Sequence, residues 1–102
     1  MKIVFSAVPV ESAEKLASTL VEERLAACVS VHPRVVSVYR WQGRVERAEE
    51  ALLVVKTSDA ALDRVIARLS EIHPYSVPEI VAIDAVRVNA AYLDWVDSET
   101  SR

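Results

Sequence analysis

Residues 36–43 read Val36-Ser37-Val38-Tyr39-Arg40-Trp41-Gln42-Gly43, and this run predicts one strand and the turn of a long β-hairpin. Its side chains alternate between two faces, with Ser37, Tyr39 and Trp41 on one of them, which is typical of a β-strand. Gly43 is the only glycine in the chain. Because glycine adopts positive φ without steric strain, its position favours a tight turn. We therefore predict one strand over residues 27–42 and a returning strand over residues 45–56.

Shorter elements flank this hairpin. An apolar run over residues 3–8 predicts a first strand, and residues 79–86 predict a last one. Apolar side chains at helical spacing predict a helix on each side of the hairpin, and Asn89 is placed to cap a short final helix. The order β-α-β-β-α-β with an added C-terminal helix predicts a single α+β domain over residues 1–102. Such a domain is ferredoxin-like, with an antiparallel sheet and both internal helices on one face.

The predicted hairpin is longer than the strands that flank it. Each hairpin strand spans about 14 residues, or roughly 45 Å at ~3.3 Å per residue, and the first and last strands reach about half that length. Pro33 cannot donate a hydrogen bond to a neighbouring strand, so it marks a bulge or an edge position. The excess ribbon carries Tyr39 and Trp41 and has no partner strand, which is a hazard in solution. We therefore predict a homo-oligomer that forms by sheet extension.

The composition indicates a small folded domain. Apolar residues make up 52% and charged residues 26% of the 102 residues, which favours a packed core over disorder. The formal net charge of -3 disfavours nucleic acid as a partner. Cys28 is the only cysteine, so no intramolecular disulfide forms and a reducing compartment, the cytoplasm, is expected. No segment is apolar over a length that would span a membrane, so no membrane partner is expected.

A stiff candidate site follows the second helix and reads His73-Pro74-Tyr75-Ser76-Val77-Pro78-Glu79. Its two prolines fix the backbone and push the residue before each out of the helical region. His73 can ligate a metal or contact an anion, and it can equally end the helix by hydrogen bonding to a carbonyl group. Glu79 can ligate a metal or pair with a basic side chain such as Lys56 or Arg40.

The sequence leaves open the roles of Cys28 and of three aromatic side chains. Cys28 can be a soft metal ligand, a nucleophile with His73 as its base, or a small buried apolar side chain. The aromatic side chains Tyr39, Trp41 and Tyr75 are typical of a core or an interface and can also line a ligand site. No P-loop, dinucleotide fingerprint or nucleophile elbow occurs in the sequence, so no enzyme class is indicated.

Four separated segments together carry a family resemblance. They are Val21-Glu22-Glu23-Arg24-Leu25-Ala26-Ala27-Cys28-Val29, Ser37-Val38-Tyr39-Arg40-Trp41-Gln42-Gly43, His73-Pro74-Tyr75-Ser76-Val77-Pro78-Glu79-Ile80, and Asn89 with Tyr92-Leu93-Asp94-Trp95. In this order they resemble the signature stretches of the CutA family of divalent-cation tolerance proteins. The resemblance covers nearly the whole chain.

The resemblance implies a homotrimer built by the long hairpins, similar in architecture to the PII signalling proteins. It also implies a link to tolerance of copper and other divalent cations, and members of the family have been reported to bind copper. No enzymatic reaction is established for the family, so none is expected here. Some bacterial members carry a further cysteine in the first strand and a histidine before the one that matches His73. This chain has Phe5 and Ile72 at those positions, so it lacks both of these ligands.

Three hypotheses about function follow. In the first, a cytoplasmic homotrimer binds Cu(II) or another divalent cation weakly through His73, with Cys28 or Glu79 as co-ligands, and needs no metal for folding. In the second, a PII-like module holds a small anionic ligand or a partner segment in clefts between subunits. Residues near that cleft are Tyr39, Trp41, Lys56, His73 and Tyr75. An enzyme that uses Cys28 with His73 is a third hypothesis.

Overall fold

Four strands form one antiparallel sheet in the computed structural model, which describes residues 1–101. The strands are β1 (Lys2–Val8), β2 (Cys28–Trp41), β3 (Arg44–Thr57) and β4 (Val81–Asp84), and they lie in the order β2-β3-β1-β4. The helices are α1 (Ala13–Glu22), α2 (Leu62–Ile72) and α3 (Ala90–Glu99), and a 3-10 turn over Val10–Ser12 precedes α1. The predicted α+β order, with its added C-terminal helix, is confirmed. Within residues 1–101, no helix combines the length and apolar character that crossing a membrane requires.

The core lies between one face of the sheet and the helices α1 and α2. Every second residue of β1 and β3 points into it, and these side chains pack against leucines of the two helices. The fully buried members include Val4, Val8, Leu53, Val55, Leu20 and Leu69. The alternating residues point to the other side of the sheet, which we call the outer face and define by Ile3, Phe5, Val54, Val81 and Ile83. On this face, Val81 and Ile83 remain about half exposed, at 50% and 46%.

The hairpin of β2 and β3 has the predicted turn and the predicted irregularity. Gln42 and Gly43 form a two-residue turn with φ of 50° and 81°, as a type I′ turn requires. A Cβ at Gly43 would meet no atom within 4 Å, so backbone conformation and not space explains the glycine. The register shifts by one residue between His32 and Val35, which brackets Pro33 in the edge strand β2. Pro33 therefore lies both at a bulge and on an edge.

More than half of the hairpin projects beyond the sheet. Strand β1 pairs with β3 only between Ala51 and Thr57, so residues 33–50, here called the arm, have no partner besides each other within the described chain. The molecule is consequently 45 Å long and only 25 by 22 Å across. Five large apolar side chains of the arm expose between 43% and 66% of their surface: Val36, Val38, Tyr39, Trp41 and Val45. The predicted excess of hairpin over its partner strands is confirmed.

The last strand is shorter than predicted. Strand β4 covers Val81–Asp84 instead of residues 79–86, and it pairs with β1 from Lys2 to Phe5. Just before β4, the Ser6 hydroxyl donates a 2.7 Å hydrogen bond to the carbonyl oxygen of Glu79. A side-chain hydroxyl, and not the backbone of β1, is therefore the partner of this carbonyl group. Residues 73–80 form a loop that contacts both β1 and β3.

Candidate functional site

His73 is a buried side chain with both ring nitrogens engaged. It directly follows α2, and only 7% of its surface is exposed. Its Nδ1 accepts a hydrogen bond from the backbone N–H of Tyr75, and its Nε2 lies 3.1 Å from the carbonyl oxygen of Ala7. Because an N–H group can only donate, Nε2 carries the ring proton and donates to Ala7. The structure thus places His73 as a side chain that ends a helix and ties it to β1.

Burial controls the charge of His73. Removal from solvent lowers the pKa of the imidazole, although its bond to Ala7 and the negative charges of Glu50 and Glu79 act in the opposite direction. The ring is therefore neutral at pH 7. A neutral imidazole is the form that ligates metal ions, but its free lone pair is already used by Tyr75.

A buried carboxylate lies next to this histidine. Glu50 of β3 is only 6% exposed, and its Oε2 accepts a 2.7 Å hydrogen bond from the Tyr75 hydroxyl. Burial, followed by this bond and the charge of Glu50, raises the pKa of Tyr75 strongly, so the phenol stays protonated. Among residues 1–101, no lysine, arginine or histidine forms an ion pair with Glu50.

Sequence reasoning missed Glu50. It belongs to a run of charged residues, Glu46 to Glu50, that suggests a solvated strand. The alternation of β3 contains the missing signal, because Glu50 lies in phase with Leu52 and Val54 on one face of the strand. A carboxylate in phase with such side chains, close to the base of the arm, is expected to be partly covered.

The arm and the loop over residues 73–80 enclose a cleft of about 760 Å³, which we call the arm cleft. Three residues of the predicted cleft meet here, Tyr39, Trp41 and Tyr75, and the predicted metal ligand Glu79 joins them. Glu50, Ser37 and Pro74 also line its walls. Lys56 and Cys28 lie elsewhere, so the structure brings only part of the predicted cleft together.

Cys28 and Lys56 form a separate group near the other end of the sheet. The ammonium group of Lys56 donates to the Ser30 hydroxyl and lies 3.9 Å from the Cys28 sulfur. Cys28 is partly buried and opposes Lys56, which in turn opposes Ile3 near the start of β1.

The sheet register separates Cys28 from His73 within one chain. His73 contacts Ala7, which lies about 13 Å further along β1 than Ile3 at ~3.3 Å per residue. Metal–ligand bonds are about 2 Å long, so the thiol and the imidazole of the same chain do not share an ion. Nor does the described part of the chain contain any group of three or more His, Cys, Asp or Glu side chains that would hold a metal ion.

The chain matches known proteins over nearly its whole length. The family model described as CutA1 divalent ion tolerance protein matches residues 2–99. A divalent-cation tolerance protein CutA of Thermus thermophilus is 47% identical over 100 residues, which cover 97% of this chain and 97% of that protein.

Solved structures agree with this match. The PII-like protein CutA from Nostoc sp. PCC 7120 in apo form superposes with a TM-score of 0.95 at 38% identity, covering 99% of this chain and 98% of that one. CutA1 from Pyrococcus horikoshii gives a TM-score of 0.95 at 38% identity and 100% coverage of both chains. Sequence and fold agree from end to end, and the chain therefore belongs to the CutA1 family of divalent ion tolerance proteins.

Proposed function

We propose that this chain acts in the response to divalent cations as a homotrimer assembled through its arm and its outer face. The observation that carries the proposal is the arm itself, which exposes Val36, Val38 and Val45 with no partner strand. Val81 and Ile83 add apolar surface on the outer face. Exposed apolar ribbons of this kind tend to pair with another surface in solution. The family resemblance and the PII-like architecture of the Nostoc relative favour a threefold arrangement.

The assembly is tested by its mass in solution. Light scattering should give three times the 11.3 kDa of one chain. Val38→Asp places a charge on the exposed arm and should lower that mass, whereas Ala67→Asp places the same charge on the exposed side of α2 and should not. A wild-type mass equal to one chain would refute the proposal, and so would a Val38→Asp protein that keeps the wild-type mass.

We propose further that Cu(II) or a similar divalent cation binds weakly at His73, with Glu79 as a co-ligand. Two observations support this site: the imidazole is neutral, and the charge of Glu79 acts on it. Binding must displace the bond from Tyr75 or the bond to Ala7, so the affinity is low. Imidazole and carboxylate ligands favour copper among the first-row divalent ions. Cys28 joins this site only if it comes from a neighbouring subunit.

Calorimetric titration with Cu(II), beside Zn(II), tests the metal site on tag-free protein. Saturable binding at a whole-number ratio per chain should disappear in His73→Ala and weaken as pH falls and the imidazole protonates. His32→Ala is the matched control, because His32 is the other histidine of the chain and lies exposed on β2. Cys28→Ser shows whether the thiol contributes. Binding that survives in His73→Ala, or that is lost equally in His32→Ala, would contradict the proposed site.

The arm cleft favours a second function, that of a ligand-binding module. Its volume of about 760 Å³ suits a small organic molecule, and Tyr39, Trp41 and Tyr75 line it. A ligand of this cleft should raise the melting temperature in proportion to the logarithm of its concentration, while metal ions should not. Equal stabilisation by Cu(II) would instead favour the metal site.

Two further proposals concern the cellular location of the protein and whether it is an enzyme. We propose a cytoplasmic protein, because Cys28 is the only cysteine and its thiol lies beside Lys56 with no second thiol to pair with. We also propose a binding role without catalysis. Cys28 is the one candidate nucleophile, and the histidine that would serve as its base lies at the other end of β1.

A further inference from the structure

The arm cleft has an unbalanced negative charge. Two carboxylates, Glu50 and Glu79, line it, and no lysine, arginine or histidine lines it in the part of the chain that the structure describes. An anionic ligand would face repulsion from both carboxylates with no compensating cation. Within one chain, Lys56 lies with Cys28 and not in this cleft, so one chain alone supplies no basic residue for a small anion here.

Glu50 is the buried one of these two carboxylates. It is 94% removed from solvent, and only one of its two oxygens accepts a hydrogen bond, from the Tyr75 hydroxyl, within the described residues. Covering a carboxylate without a cationic partner costs several kcal/mol in general, and a bound cation removes much of that cost. Since no buried side-chain oxygen in the described residues lacks a hydrogen-bond partner, solvent reaches the second oxygen of Glu50, and Glu50 lines the arm cleft. The cleft therefore contains one carboxylate, Glu50, that a bound cation would stabilise.

The remaining residues of the arm cleft determine which kind of cation it can bind. A metal ion requires several oxygen, nitrogen or sulfur ligands, and the described chain groups no three acidic, histidine or cysteine side chains for it. The arm cleft instead offers the rings of Tyr39, Trp41 and Tyr75 beside Pro74. Aromatic faces attract organic cations, and most strongly those with a weakly held hydration shell, such as quaternary ammonium ions.

From this geometry we propose that the arm cleft binds an organic ammonium ion, with its charge beside Glu50 and Tyr75 and its apolar part against the aromatic arm. The inference rests on the second proposed function, a ligand-binding cleft, and specifies the chemical class of its ligand. It does not depend on the metal site at His73. All the residues that line the cleft belong to one chain, and those on the arm border the proposed interface.

Choline is the probe, and 3,3-dimethylbutan-1-ol is its uncharged isostere with the same shape. Binding is followed in the nuclear magnetic resonance spectrum of the two tryptophan indole N–H groups, at constant ionic strength. Trp41 lines the cleft, whereas Trp95 lies on α3, so choline should shift the Trp41 signal saturably and leave the Trp95 signal in place. The isostere should bind about tenfold more weakly or worse, because it lacks the charge.

Two variants test the contacts. Glu50→Gln keeps the size and one acceptor of the side chain, and it should weaken choline binding about tenfold or more. Glu49→Gln makes the same charge change on the adjacent residue, which pairs with Arg34, and should leave the affinity unchanged. If Glu50→Gln does not fold, Tyr39→Leu gives a second test, since Tyr39 is 43% exposed and its loss spares the core.

The outcomes of these experiments distinguish a failure of this inference from a failure of the ligand-binding function on which it rests. Equal binding of choline and its isostere would keep the ligand-binding cleft and overturn the ammonium ion. Unchanged choline binding in Glu50→Gln would also overturn it. Failure of both probes to bind would refute the cleft together with its ligand. If Glu50→Gln lowers the mass of the assembly and choline does not bind, the cation beside Glu50 belongs to a second copy of the chain, and the inference is wrong.

Discussion

Tyr75→Phe should destabilise the protein because it leaves a covered carboxylate without its hydrogen bond. The Tyr75 hydroxyl donates to Glu50 at 2.7 Å, and Glu50 is only 6% exposed. Hydrogen bonds to charged groups contribute about 1.5–3 kcal/mol. Since Tyr75 is itself 38% exposed, water can partly replace its hydroxyl, and we expect the lower end of that range, about 1.5 kcal/mol.

Guanidinium chloride unfolding, followed by circular dichroism, measures this loss. The protein concentration must be fixed, because an assembled protein has a concentration-dependent free energy of unfolding. A lower midpoint with an unchanged slope identifies a change in stability. Tyr39→Phe is the matched control: it removes a hydroxyl from the neighbouring ring, and that hydroxyl makes no hydrogen bond within residues 1–101.

A double-mutant cycle with Glu50→Gln assigns the loss to the pair. If the bond is the cause, Tyr75→Phe should cost clearly less in the Glu50→Gln background than in the wild type, because a neutral amide is less costly to leave unpaired. The reasoning is refuted if Tyr75→Phe costs no more than Tyr39→Phe, or if its cost is the same in both backgrounds.

Three further changes follow from the same contacts. Burial lowers the pKa of His73 below 6.5, so as the pH falls the unfolded chain binds a proton at this side chain before the folded chain does. The free energy of unfolding should therefore fall as the pH drops below 6.5. Denaturant titrations of His73→Gln should show a weaker dependence of this free energy on pH. Gly43→Ala should cost about 1 kcal/mol in the same assay, because φ is 81°, and Gly43→Asn should cost less. Ser58→Ala should lower the melting temperature, with a cost of about 1 kcal/mol, since its hydroxyl accepts from the Ala61 N–H and from Thr100.

The fold was predictable because its signals are local and periodic. Alternation over residues 36–41 and a single glycine at a turn with positive φ specify the hairpin, and both depend on backbone geometry alone. Pro33 marked its bulge for the same reason, as a residue without an N–H group. The start of β4 was less predictable, because the hydroxyl of Ser6, distant in sequence, binds the carbonyl group of Glu79.

The candidate site was only partly predictable, because it depends on which distant residues the register aligns. The sequence identified Tyr39, Trp41 and Tyr75 as a possible group, and the arm cleft brings them together. It also grouped Cys28 with His73, but antiparallel pairing places these two near opposite ends of β1. No periodic pattern within one segment encodes such a separation.

One length mismatch explains both the arm and the cleft. Strand β1 ends at Val8, so β3 continues past it without a partner, and the loop over residues 73–80 reaches β3 there through the bond from Tyr75 to Glu50. The cleft therefore lies where the arm leaves the sheet, and Ala7 forms part of its wall. If a second copy covers the arm, a ligand of the cleft contacts the border of that interface. Ligand binding and assembly are then coupled. If assembly changes the affinity for choline by some factor, saturating choline should shift the dissociation constant of the assembly by a corresponding factor.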